Sequence, residues 1–219
     1  AGIIAVYWQL FTLSSIFFLI AFILSLSLPK SKHRRMSIPM FPKDVIRRNF
    51  WVYFACFLRN TGAHSIWAIF PIFLLDLGAT KFWIGVIYFL NSGLQVIFMR
   101  FMDKYPDKIL INIGLLVSTF VFIFYSLTTN YSQILFLNIF LALSWSSLYV
   151  GSLLYMAHRN EERATSIGML TSVISISAAF GPILGGIVSQ LFGFREVMFL
   201  AGILSLSGFF ISITRNQNS

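Results

Sequence analysis

Charge is what this sequence has least of. Asp, Glu, Lys and Arg make up 11% of its 219 residues, against 58% hydrophobic residues and a mean hydropathy of +0.82. A water-facing surface needs far more charge than that, so a soluble globular domain is excluded and the composition falls in the membrane class. Cysteine occurs once, as Cys56 within an apolar run, which excludes a disulfide framework or a thiol metal site inside the chain. It reads as a small buried hydrophobe. Carboxylates are scarce too: Asp44, Asp76, Asp103, Asp107, Glu161, Glu162 and Glu196 all fall in loops or at the ends of apolar runs. No Asp or Glu stands inside a run, so an embedded carboxylate of the kind that relays protons would have to come from outside this chain. Nothing in the sequence calls for a cofactor or a metal.

What is present is a series of apolar runs, each near the roughly 20 residues that a helix needs to cross a bilayer. They cover 3–28, 50–75, 82–102, 109–127, 134–157, 167–191 and 197–213, about seven spans by hydropathy. The 25 phenylalanines suit surfaces that face lipid. The first run is no secretory signal, because it is long, lacks a basic leader and has its basic stretch after it.

The loops alternate in charge. Lys30, Lys32, Arg34, Arg35, Lys43, Arg47 and Arg48 separate the first two spans. Arg100, Lys104 and Lys108 lie between the third and fourth, Arg159 and Arg163 between the fifth and sixth, and Arg215 after the seventh. The other loops hold only Lys81 and Arg195. Basic residues keep short loops on the cytoplasmic side, so the C-terminus is expected in the cytoplasm of a multi-pass cell-membrane protein, with Ala1 outside. The same rule accounts for the net charge of +9 without a nucleic-acid partner. Residues 29–49 form the one long connection, basic and bearing Pro29, Pro39 and Pro42. Long connections divide units, which predicts one helix at 1–28, a cytoplasmic linker at 29–49, a six-helix bundle at 50–214 and a tail at 215–219. The openings Ala1-Gly2-Ile3-Ile4 and Ala201-Gly202-Ile203-Leu204 form a short repeat that agrees with a first span closing an earlier unit.

Three features resemble the major facilitator superfamily, in its C-terminal half together with the sixth helix. Leu77-Gly78, Ile84-Gly85, Asp103-Lys104 and Lys108 resemble the family's loop between the second and third helices of a half. The turn itself has Met99 and Pro106 where the family has glycines. On this resemblance Gly85, Asp103, Lys104 and Lys108 are expected at a gating turn. Arg163-Ala164-Thr165-Ser166-Ile167-Gly168, then Phe180-Gly181-Pro182-Ile183-Leu184-Gly185-Gly186 and Gly193-Phe194-Arg195, look like the eleventh helix and the turn beyond it. Gly181 and Gly185 are four apart, so one helix face admits a close neighbour, and Pro182 and Gly186 are expected in the same packing motif. The third feature is the order itself, six spans after a long basic loop. The resemblance implies an all-α polytopic fold: two inverted three-helix repeats plus one helix of the preceding bundle. It implies a small-molecule substrate at the midplane, moved by alternating access. It also implies, as partners, the lipid bilayer and an N-terminal bundle from the same native chain or a separate subunit.

Within the spans, Arg59 is the clear charge. It lies roughly 16 Å along a helix from Arg48, near the bilayer centre, where a charge marks a functional site. Its partner is expected on the other bundle, on an anionic substrate or in cavity water; snorkelling to the surface is the alternative. Asn60 and His64 share a helix face, and His64 either shuttles protons or packs as a hydrogen-bonded imidazole. The spacing of Arg59 and His64, about 140° apart round a helix, argues against both pointing squarely into one narrow site. Asn138, Trp145 and Tyr149 on the fifth span, the last two four apart, are expected to line the cavity or the bundle interior. Arg59, Asn60, His64, Asn138, Trp145 and Tyr149 are therefore the candidate substrate-binding residues. They suit a secondary transporter of a drug-like solute or of an organic anion. A non-transporting sensor or scaffold on the same fold is the alternative, and the scattered polar groups do not assemble an enzyme site.

Overall fold

The computed structural model describes residues 7–27 and 42–216. The repeat at Ala1-Gly2-Ile3-Ile4, most of the expected linker with Lys30, Lys32, Arg34 and Arg35, and the end of the tail lie outside them. Seven α-helices follow in order: α1 Tyr7–Leu26, α2 Lys43–Asp76, α3 Lys81–Met102, α4 Asp107–Leu127, α5 Tyr131–Arg159, α6 Arg163–Leu191 and α7 Phe194–Asn216. The protein is an all-α polytopic membrane protein. Helices α3 to α7 are each long and apolar enough to cross a bilayer, whereas the apolar stretch described in α1, Phe11–Leu26, is shorter. The second expected span is a 34-residue helix but is too polar to qualify by composition, because Arg59, Asn60, Thr61, His64 and Ser65 crowd its middle. It also begins earlier than expected. Residues 43–49, assigned to the linker from sequence, form its first turns, and it runs on through Pro71.

Helix α2 packs on α6 and α7, α4 packs on α5 and α7, and α3 is attached mainly through α5. The described side chains of α1 are exposed throughout, Phe18 among them at 77%. The bundle's interior is divided in two. One apolar cluster gathers Val52, Cys56, Ile111, Leu115, Leu148 and Met156. The other gathers Ile66, Phe70, Phe73, Val121, Phe122, Tyr125 and Leu141. Between them each helix of the bundle carries a buried polar residue at or beside its midpoint: Arg59 and Asn60 on α2, Asn91 on α3, Ser118 on α4, Ser144 on α5, Ser177 on α6 and Ser205 on α7.

The helices are tied at close range. A Cβ on Gly181 would stand 2.5 Å from the Cβ of His64 and 2.8 Å from the carbonyl oxygen of Thr61, and one on Gly185 would collide with the Ser65 backbone. Gly186 and Pro182, grouped with them from sequence, do not belong to this contact. A Cβ at Gly186 meets nothing within 4 Å, and Pro182 is exposed, because each is turned about 100° round α6 from the glycine before it. At the far end of the bundle Arg195 donates from Nη1 to the Ser126 carbonyl (3.0 Å) and from Nη2 to that of Thr128 (2.9 Å), satisfying carbonyls at the end of α4.

On the side holding the α5–α6 turn, Arg48 donates to Asn160 Oδ1 and to Glu162 Oε2, both at 2.8 Å, and Asn49 and Asn160 exchange amide hydrogen bonds. Its own backbone N–H, followed by Arg48, holds the Glu162 carboxyl below the usual carboxylate range. The contact is therefore present above that range and lost as pH falls through the lowered value.

The two neighbouring glycines make the packing testable. Gly185→Ala is expected to lower stability in detergent by about 1–3 kcal/mol through overpacking. Gly186→Ala is expected to be neutral or slightly stabilising, since an open helical position favours alanine. Thermal melts of the two variants check this, and equal melting temperatures would contradict the α2–α6 contact.

Candidate functional site

The polar middle of α2 opens into a cavity of about 290 Å³, lined by Arg59, Asn60, Ala63, His64, Trp67, Tyr88, Asn91, Ser92, Gln95, Leu141, Trp145 and Ile174. At 1.5 Å per residue, Arg59 stands about 24 Å from either end of α2. The two larger grooves lie elsewhere, one beside the α4–α5 turn at Phe124 and Phe136, the other at the start of α2. Both are lined near helix ends and lack the mid-helix polar residues.

Arg59 is 2% exposed. It does not snorkel. Its Nε donates to Ser118 Oγ at 2.8 Å and its Nη1 to Asn60 Oδ1 at 3.3 Å. The guanidinium carbon lies 5.1 Å from the Trp145 ring centroid and 5.5 Å from that of Phe122. Four neutral groups of this chain surround it, and its counter-charge stays an expectation for another bundle, a substrate or cavity water. The hydroxyl of Ser118 is itself hydrogen-bonded to Ser144, whose Oγ reaches the Gly114 carbonyl at 2.9 Å. Trp145 in turn stacks on Tyr149 with centroids 5.4 Å apart and 20° between planes. Trp145, backed by Tyr149, and Phe122 thus both offer ring faces to the guanidinium. No carboxylate is among its partners in the described residues, and the ion pairs described are Arg48–Glu162 and His158–Asp107 at the helix ends.

Four of the six candidate binding residues, Arg59, Asn60, His64 and Trp145, line the cavity. Arg59 and His64 both border the cavity, which extends across residues of α2, α3, α5 and α6. Asn138 and Tyr149 are not in the lining. Asn138 sits behind it and accepts from Asn91 Nδ2 at 3.0 Å, while Tyr149 supports Trp145. The structure adds Asn91, Ser92 and Gln95 of α3, with Gln95 donating to Asn91. Their signal was available as three polar residues spaced by one and three in an otherwise apolar run. Trp67 and Tyr88, centroids 5.5 Å apart, add an aromatic wall. Among the described residues, no three His, Cys, Asp or Glu side chains gather where they could hold a metal ion.

A family model described as the Major Facilitator Superfamily matches residues 52–217. The chain belongs to the Major Facilitator Superfamily. A search of curated proteins found no match. For this facilitator chain the expected gating turn needs one correction. Asp103 and Lys104 follow α3 and are exposed, with the Lys104 ammonium 6.0 Å from the Phe101 ring, and Lys108 lies in the first turn of α4. Gly85 is in the early turns of α3, roughly 27 Å along the helix axis from Asp103, so it is at the opposite end from the turn. What the turn does contact is α5: Asp107 Oδ2 lies 3.7 Å from His158 Nδ1.

Arg59 is costly to bury without a counter-charge, and apolar replacements of buried charges are often neutral or stabilising. Arg59→Met is accordingly expected to keep or raise the melting temperature in detergent while removing the cavity's cation. A loss above about 3 kcal/mol would instead assign Arg59 to the scaffold.

Proposed function

We propose that this major facilitator chain forms one wall of a secondary transporter that moves a small organic solute by alternating access. The observation that carries this reading is the cavity built on Arg59 at the middle of α2. Substrate sites of such carriers lie near the bilayer midplane, between bundles that rock against each other. A buried charge at that depth marks a solute or ion path by default. The cavity's aromatic and amide lining supports an amphipathic drug-like solute, and its guanidinium supports an organic anion, which we favour. In this reading a second bundle, in the same chain or a partner subunit, closes the cavity, and Asp103, Lys104 and Lys108 act at a turn that changes contacts as the bundles rock. The basic loops support a cytoplasmic C-terminus, and the reading takes the protein as a multi-pass protein of the cell membrane.

Flux into liposomes containing the complete transporter is the direct test. Solute uptake or efflux should be saturable, and Arg59→Ala should reduce it at least tenfold with the melting temperature retained. Saturable binding without flux would favour a sensor or scaffold on the same fold, and undiminished flux in Arg59→Ala would overturn the assignment of Arg59.

A further inference from the structure

The cavity's chemistry narrows the solute further, on condition of the transport reading above. A guanidinium carries five N–H donors, and two of them, at Nε and Nη1, are taken by Ser118 and Asn60. Among the described residues the other three have no protein acceptor. The group lies 5.1 Å from the Trp145 centroid and 5.5 Å from that of Phe122 and is anchored at Nε and Nη1, which limits how its remaining N–H donors can turn. A planar carboxylate matches a guanidinium edge with two parallel hydrogen bonds.

Charge balance sets the number of anionic groups. Arg59 is the only Lys or Arg in the lining, and the lining contains no Asp or Glu. With His64 neutral, one negative charge on the ligand neutralises the site. A second would enter a largely apolar pocket without a fixed cation, at a desolvation penalty of several kcal/mol. A cationic solute would stand beside an uncompensated guanidinium. The rest of the wall selects the body: Trp67 and Tyr88 offer aromatic surface, Leu141 and Ile174 offer apolar surface, and Asn91 and Gln95 offer neutral amides. At about 290 Å³ the cavity sits at the lower end of the roughly 300–1,000 Å³ usual for small-molecule sites.

We propose that the cavity binds a small, flat aromatic monocarboxylate. Its carboxylate lies on the open edge of Arg59 and its ring against Trp67 and Tyr88.

Calorimetric titration of the purified complete protein with naphthalene-2-carboxylate, the matching carboxamide and the matching methylamine separates the terms. The carboxylate should bind roughly tenfold or more tightly than the carboxamide, the margin of charge-assisted hydrogen bonds, and the amine should not bind. Arg59→Gln should bring the acid-to-amide ratio close to one, a ratio that a general folding defect does not move. Arg59→Lys should keep part of the preference, because it keeps the charge and loses the fork. Equal affinity for acid and amide, preference for the amine, or no saturable binding of any of the three would overturn the proposal. Arg59-dependent acid binding with no flux would leave the proposal standing and remove the transport reading. Flux of a cationic or neutral solute that Arg59→Gln leaves intact would do the reverse.

Discussion

A guanidinium at the middle of a bilayer-spanning bundle has to be solvated by something, and in this protein it is solvated by neutral groups. Arg59 has a hydroxyl, an amide oxygen and two aromatic faces, and no carboxylate among the described residues. That constraint organises what surrounds it. Ser118 is tied to α5 through Ser144, and Trp145 is buttressed by Tyr149. The middle of α2 is consequently so polar that the helix fails a purely compositional test for a span. An aliphatic bundle would have no reason to bring α4 and α5 together at this height with hydroxyls facing each other.

The two apolar clusters on either side supply the fastening that the polar layer lacks. In lipid there is little hydrophobic drive between helices, so close packing carries the association. The contacts at Gly181 and Gly185 against α2 are of this kind, with backbone approaching backbone. Helix α3, fastened mainly to α5, and α6, fastened mainly to α2, keep long exposed faces. Those faces belong against lipid or against other helices.

Much of the fold was legible in the sequence because hydropathy and loop charge each act locally. The apolar runs gave the spans of α3 to α7, and the glycine spacing in α6 pointed to a packed face. The start of α2 is not legible in the sequence because its first turns are basic and follow prolines, while the contacts of Arg48 and Asn49 with Asn160 reach across 112 and 111 residues of sequence. The site was half legible. Arg59, Asn60 and His64 stand out as polar residues in an apolar stretch, but their neighbours are set by which helices touch. Ser118 and Phe122 on α4 look like ordinary span residues until α4 is laid beside α2. Asn138 and Tyr149 were read as lining groups, yet α5 turns them behind Asn91 and Trp145. Gly85 was grouped with Asp103 by motif order, and a helix of 22 residues separates such neighbours in space.

The polar residues at the helix midpoints also act as a vernier for vertical position. The close glycine contacts oppose a vertical slip between the helices they join, and directional hydrogen bonds add to that resistance. A slip of about 5.4 Å would pull Arg59 from Ser118, Asn91 from Asn138, Ser177 from the Phe57 carbonyl and Ser205 from the Leu115 carbonyl. Each of these bonds joins a different pair of helices. With the Ser118–Ser144 bond between α4 and α5, they link all six helices of the bundle at one level, and the cavity beside Arg59 inherits that alignment.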